Sequence, residues 1–185
     1  KKKKYKIISS FPSSGWNYFN SVVNKYLNLK EKTEEKSFFL TINGKASLNN
    51  NLENFSLMNT HYCYFEIPFI FNGTIADNNK VIISRNYIST LYSYYKKYNR
   101  KMSFENFIYN GRTLERIVDY YNSWGKHLLK NRKFKIVKYE NLRKNPIHEF
   151  NKVLIFLRKE KTDIKNLKIA IKDRNFHKRK KLKIK

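Results

Sequence analysis

Apolar positions in this chain fall into two patterns: short unbroken runs, and longer stretches in which they recur every three or four residues. Tyr5 to Ser10 is apolar on both sides, which suits a strand covered on both faces. It passes through Phe11-Pro12-Ser13-Ser14-Gly15, a turn, into a segment with apolar residues at 16, 19, 22, 23, 26 and 27. That spacing predicts a helix over Trp16 to Leu27. Phe38 to Ile42 reads as a second strand, ended by Asn43-Gly44, and Phe55 to Thr60 as a third. After the turn Asp77-Asn78-Asn79 comes a short strand, Lys80 to Ser84, and then a helix, Tyr87 to Tyr98. Thr113 to Asn131 is the longest helical pattern, with apolar positions at 114, 117, 118, 121, 124, 128 and 129. Phe134 to Lys138 is another strand. Pro146 to Leu157 is a helix with proline in its first turn, where the missing N–H is not needed. From Asp163 the chain is basic and weakly helical. Strands alternating with helices predict an α/β fold: a single domain with a mostly parallel central sheet flanked by helices.

Composition narrows the classes. The chain has 185 residues, of which 41% are hydrophobic and 16% aromatic, enough for a full core and too apolar for a disordered tail. The formal net charge of +26 repels itself and favours anionic partners: nucleic acid, an anionic membrane surface, or an anionic cofactor or substrate. Dense lysine clusters occur only at Lys1 to Lys4 and Lys178 to Lys185, which read as basic tails at residues 1–4 and about 178–185. With no run of eighteen apolar residues, a membrane span is not expected. KKKKYKII has no long apolar stretch and no small-residue cleavage site, so no leader is expected. Cys63 is the single cysteine, which excludes an intrachain disulfide and fits a reducing, cytoplasmic setting.

Three constellations carry candidate chemistry. A strand entering a helix through Phe11 to Gly15 exposes the first N–H groups of that helix, an anion site. Gly15 allows close backbone approach, and Ser13, Ser14 and Asn17 add side-chain donors. The same residues also suit an ordinary turn with Ser14 as N-cap. Arg85 follows the strand Lys80 to Ser84, at the carboxyl edge where open α/β sheets bind ligands, and Ser93 lies two turns into the next helix. A guanidinium fork and a hydroxyl can grip a phosphate. Thr60-His61 ends a predicted strand at the same edge.

Taken in order, these segments resemble the sulfotransferase family that uses 3′-phosphoadenosine-5′-phosphosulfate (PAPS). The likeness runs through the Phe-Pro-x-Ser-Gly turn, the Thr-His pair, and Arg-Asn with a serine eight residues after the arginine. It continues through Ser123-Trp124-Gly125-Lys126-His127, the Tyr139-Glu140-Asn141-Leu142 strand end and Asn175-Phe176. The resemblance spans Lys6 to about Arg179 and implies a P-loop-like nucleotide-binding architecture. It assigns Ser13, Ser14, Gly15, Trp16 and Asn17 to the 5′-phosphosulfate, and Arg85 and Ser93 to the 3′-phosphate. Tyr18, Tyr139 and Phe176 fall to the adenine pocket, and His61 to the general base. The implied reaction is in-line sulfuryl transfer to a hydroxyl or amine acceptor, with 3′-phosphoadenosine-5′-phosphate (PAP) as product. No metal is required.

Three departures from the family pattern stand out. Ser13 occupies the position usually held by lysine or arginine, Asn59 stands where lysine is common, and no Arg-Lys-Gly loop follows Phe176. Ser13 and Asn59 motivate an alternative, a weakened sulfotransferase-fold protein that binds nucleotide without turnover. A third reading, from charge and aromatics alone, is a basic nucleic-acid-binding protein. No nucleic-acid motif is present, so no specific nucleic-acid partner is expected. The acceptor, a small molecule or a carbohydrate or lipid, would lie between Phe65 to Asn79 and Lys101 to Gly111, whose aromatics Phe69, Phe71, Phe104, Phe107 and Tyr109 suit a ring-bearing acceptor or simple core packing. Oligomeric state leaves no mark in the sequence.

Overall fold

Ile7 and Ile8 explain why the first strand does not alternate, because each isoleucine faces a different buried cluster. A computed structural model describes residues 6–33, 39–41, 57–61, 79–98, 101–110, 112–128 and 133–173. Along the chain these form β1 (Lys6–Ser10), α1 (Trp16–Glu31), β2 (Phe39–Thr41), β3 (Leu57–Thr60), β4 (Lys80–Ser84), α2 (Tyr87–Tyr98), α3 (Phe104–Asn110), α4 (Thr113–Leu128), β5 (Phe134–Lys138), α5 (Tyr139–Lys144), α6 (Pro146–Arg158) and α7 (Ile164–Asp173). The strands make one sheet in the order β2-β3-β1-β4-β5, and every neighbouring pair is parallel. Parallel strands need crossovers that put helices on both faces, hence the continuous apolar runs.

On one face Ile8, Val81, Ile83 and Val137 pack against α1, α6 and α7 through Phe19, Val22, Val23, Tyr26, Leu27, Phe150, Val153, Leu154, Leu157 and Leu167. On the other, Ile7 and Ile82 meet Leu91 of α2 and Ile117, Tyr120 and Trp124 of α4. The registers Ser9↔Thr60 and Ser10↔Ile83 bring the ends of β3, β1 and β4 level. The residues that follow, Phe11, His61 and Arg85, therefore emerge together at one edge of the sheet. Chain order reverses about β1, which has β3 on one side and β4 on the other, the switch point where such sheets open a crevice.

Several boundaries differ from the sequence pattern. α1 continues past Leu27 to Glu31 and ends on Lys32 in the left-handed conformation. α3 forms inside the stretch expected to be an acceptor loop. Ser103 starts it, its carbonyl taking the Phe107 N–H at 3.0 Å and its hydroxyl the Asn106 N–H at 3.2 Å. Phe107 is buried and Phe104 packs edge-on to Tyr92, so these two aromatics serve packing. α5 is a six-residue helix that the pattern missed. The basic segment after Asp163 is helical because the Asp163 carboxylate accepts the Asn166 N–H at 3.1 Å and Leu167 and Ala170 are buried. Phe69, Phe71, residues 129–131 and both basic tails lie outside the described residues. Among the described residues no helix is long and apolar enough to cross a membrane.

Candidate functional site

Ser10 ends β1, and the chain then folds back on itself. The Ser14 N–H donates to the Phe11 carbonyl at 3.0 Å, closing the turn. Ser13 (φ 67°) and Gly15 (φ 102°) both take positive φ. For Ser13 that conformation carries about 1–2 kcal/mol of strain, and its carbonyl is held by Arg85 Nη1 at 2.9 Å. Gly15, not Ser14, occupies the N-cap position of α1, and no side chain caps the helix. Its carbonyl accepts the N–H of Tyr18 and of Phe19, each at 3.1 Å. The first-turn N–H groups thus lie at the mouth of a pocket, with the helix dipole behind them.

That pocket holds about 410 Å³. Pro12, Ser13, Gly15, Trp16, Asn17 and Tyr18 line it from the turn and α1; His61 lines it from the end of β3 and Arg85 from the end of β4. Ser93, Tyr94 and Lys97 of α2 and Tyr139 at the start of α5 complete the wall. Tyr139 is wedged against the turn, and a Cβ on Gly15 would sit 2.1 Å from its Cδ2. The Arg85 guanidinium lies over the same ring, 4.9 Å from its centroid. Tyr139 meets Tyr18 edge-on at 6.4 Å, and Arg143 covers Tyr18 at 5.4 Å. Glu140 accepts the Asn86 N–H at 2.8 Å and so ties α5 to the turn that carries Arg85.

His61 is exposed, with its Nδ1 2.5 Å from the Ser10 carbonyl and 3.3 Å from the Ser10 hydroxyl. A carbonyl only accepts, so Nδ1 carries the proton and Nε2 keeps the lone pair. Dehydration by the surrounding protein lowers the His61 pKa below its ordinary value, the bond to Ser10 opposes this, and the charge of Lys97 lowers it further. The shift favours the neutral imidazole. The arrangement offers two places for anionic groups, an aromatic wall between them, and a ring nitrogen able to take a proton.

The fold brings Ser13, Gly15, Trp16, Asn17, Tyr18, His61, Arg85, Ser93 and Tyr139 around this one pocket. Ser14 stands apart. Its hydroxyl is fully buried, beside the Tyr121 phenol. Burial keeps that phenol above its ordinary pKa, and its oxygen accepts the Arg85 N–H at 3.4 Å. Phe176 lies outside the described residues. Lys97 and Glu140 were missed in the sequence. Lys97 follows Ser93 by four residues, a helical spacing that would have placed both on one face.

Comparison with known proteins bears on the family and the fold. A family model described as a sulfotransferase domain matches residues 7–185. Mouse sulfotransferase SULT7A1, solved in complex with PAP, superposes with a TM-score of 0.72 at 16% identity, covering 97% of this chain and 68% of the mouse chain. The sulfotransferase from Alicyclobacillus acidocaldarius gives a TM-score of 0.52 at 12% identity, covering 94% of this chain and 93% of the other. At such identities these structures speak to the fold. No curated protein sequence matches the chain.

Proposed function

The chain belongs to the sulfotransferase domain family, and we propose that it binds PAPS in the pocket at the carboxyl edge of its sheet, where His61 acts as general base toward a hydroxyl-bearing small molecule. The observation that carries this reading is the convergence of Ser13, Gly15, Trp16, Asn17, Tyr18, His61, Arg85, Ser93 and Tyr139 on one 410 Å³ space. The residues fit such a nucleotide. Gly15 leaves a cradle that any side chain would fill, beside a helix N-terminus suited to phosphate. The PAP-bound mouse structure supports the choice of nucleotide.

When bound, PAPS supplies an activated sulfuryl group on a phosphate that can depart. The turn and the first N–H groups of α1 hold its 5′ end. Arg85, with donors beyond the one given to Ser13, and Ser93 hold the 3′-phosphate. Tyr18 and Tyr139 would form the aromatic wall for adenine. The Ser10 carbonyl fixes the tautomer of His61, so Nε2 is the nitrogen that takes the acceptor proton. Cys63 as the single cysteine favours a cytoplasmic setting.

Calorimetric titration with PAP, with AMP and ATP as controls, tests the site. Micromolar binding that requires the 3′-phosphate is expected; equal, weak and salt-sensitive binding of all three would show that only charge is read. His61→Ala should abolish transfer of label from PAPS while PAP affinity stays within about twofold, and retained turnover removes the base.

A further inference from the structure

We propose that Lys97 is the cation of the reaction centre, brought from helix α2 to a turn that has none. This rests on the sulfotransferase reading above. In sulfuryl transfer a bond forms between the acceptor oxygen and sulfur while the bond from sulfur to the 5′-phosphate oxygen breaks. The bonding pair stays on that phosphate oxygen, and the acceptor proton passes to His61 Nε2. Negative charge therefore grows on the departing phosphate, where a fixed positive group has most effect.

The turn supplies no such group. From Pro12 to Tyr18 there is no cationic side chain, and Asn59-Thr60 ahead of His61 adds none. Among the described residues that line the pocket, the lysine and arginine side chains are Arg85 and Lys97. Arg85 is anchored on the Ser13 carbonyl and on the Tyr139 ring. Lys97 reaches the pocket from a different element, one helical turn beyond Ser93, and its charge is felt at His61. A long side chain on a helix fixed by its buried residues Thr90 and Leu91 can present an ammonium group to the pocket that the base and the phosphate cradle also line.

The test compares Lys97→Met and Lys97→Arg with the unaltered chain. The first readout needs no turnover: the NMR titration of His61 in the free protein. Lys97→Met should raise its midpoint and Lys97→Arg should restore it; an unmoved midpoint means that the charge does not face the base and overturns the proposal. The second is PAP-dependent release of 4-nitrophenol from 4-nitrophenyl sulfate, beside transfer of label from PAPS to phenol. Lys97→Met should lower kcat by about 10²–10³-fold and also weaken PAP, whose 5′-phosphate carries the developed charge, with partial recovery of both in Lys97→Arg. A change in KM alone would assign Lys97 to acceptor binding and overturn the catalytic role. An unaltered chain that binds PAP but turns over neither probe also overturns it, since nothing then replaces the missing charge. Failure to bind PAP at all would instead sink the sulfotransferase reading.

Discussion

Gly15→Ala is the substitution for which the structure gives the sharpest number. Gly15 has φ 102°, and an added Cβ would lie 2.1 Å from Tyr139 Cδ2 and 2.6 Å from Cε2. These are mid-ring atoms, so a small rotation of the side chain does not relieve the clash; either Tyr139 leaves its place or the turn opens. The positive φ alone costs an alanine about 1–2 kcal/mol. Displacing Tyr139 forfeits its edge contact with Tyr18, worth about 0.5–1.5 kcal/mol, and the Arg85 contact, worth about 0.5–1 kcal/mol at a half-exposed site. Together that is about 2–4.5 kcal/mol, or a fall in Tm of roughly 4–18 °C for a chain of this size. Because Tyr139, Arg85 and the turn all line the pocket, PAP binding should weaken as well. Urea unfolding and PAP calorimetry on the same preparation measure both. A Gly15→Ala protein with unchanged Tm and unchanged PAP affinity would refute the account of the turn as a cradle closed by Tyr139.

Arg85→Ala should weaken PAP binding by roughly 10–150-fold, the loss of a charged hydrogen-bonding partner worth about 1.5–3 kcal/mol. AMP, which lacks the 3′-phosphate, should lose much less, and an equal loss for both nucleotides in calorimetry would remove the assignment. Because the His61 pKa is lowered, its neutral form persists below pH 6.5, so the acid limb of kcat/KM should lie below that value. The unfolded chain then binds more protons than the folded one in that window, and stability should fall as pH drops through 6.5. An acid limb above 6.5, seen in the pH–rate profile, contradicts this. Asp163→Ala removes the cap of α7 and should cost about 0.5–2 kcal/mol in urea unfolding; Asp163→Asn, which keeps an accepting oxygen, should retain most of the stability.

Fold class was legible because the inner strands β1 and β4 of the parallel sheet are buried on both faces, and that leaves unbroken apolar runs such as Tyr5 to Ser10 and Lys80 to Ser84. Helices α1, α2 and α6 were legible because each buries one stripe. The short helices were not. α3 depends on Ser103 closing its first turn and on Phe107 finding the Tyr94 and Tyr95 rings, and neither partner is visible in a seven-residue window. The site divides in the same way. Residue types and order alone drew attention to the turn, Arg85 with Ser93, and His61, since phosphate and proton transfer need donors, a guanidinium and an imidazole at strand ends. Only the registers of β3 and β4 against β1 could say that these groups meet. Only packing could turn Ser14 into the interior, set Tyr139 where Gly15 has no side chain, and bring Lys97 beside His61. A sequence determines which groups are available and which local conformations they prefer. Which of them share a few ångströms of space is decided by contacts between residues far apart in the chain, such as Arg85 and Ser13, and those exist only in the folded state.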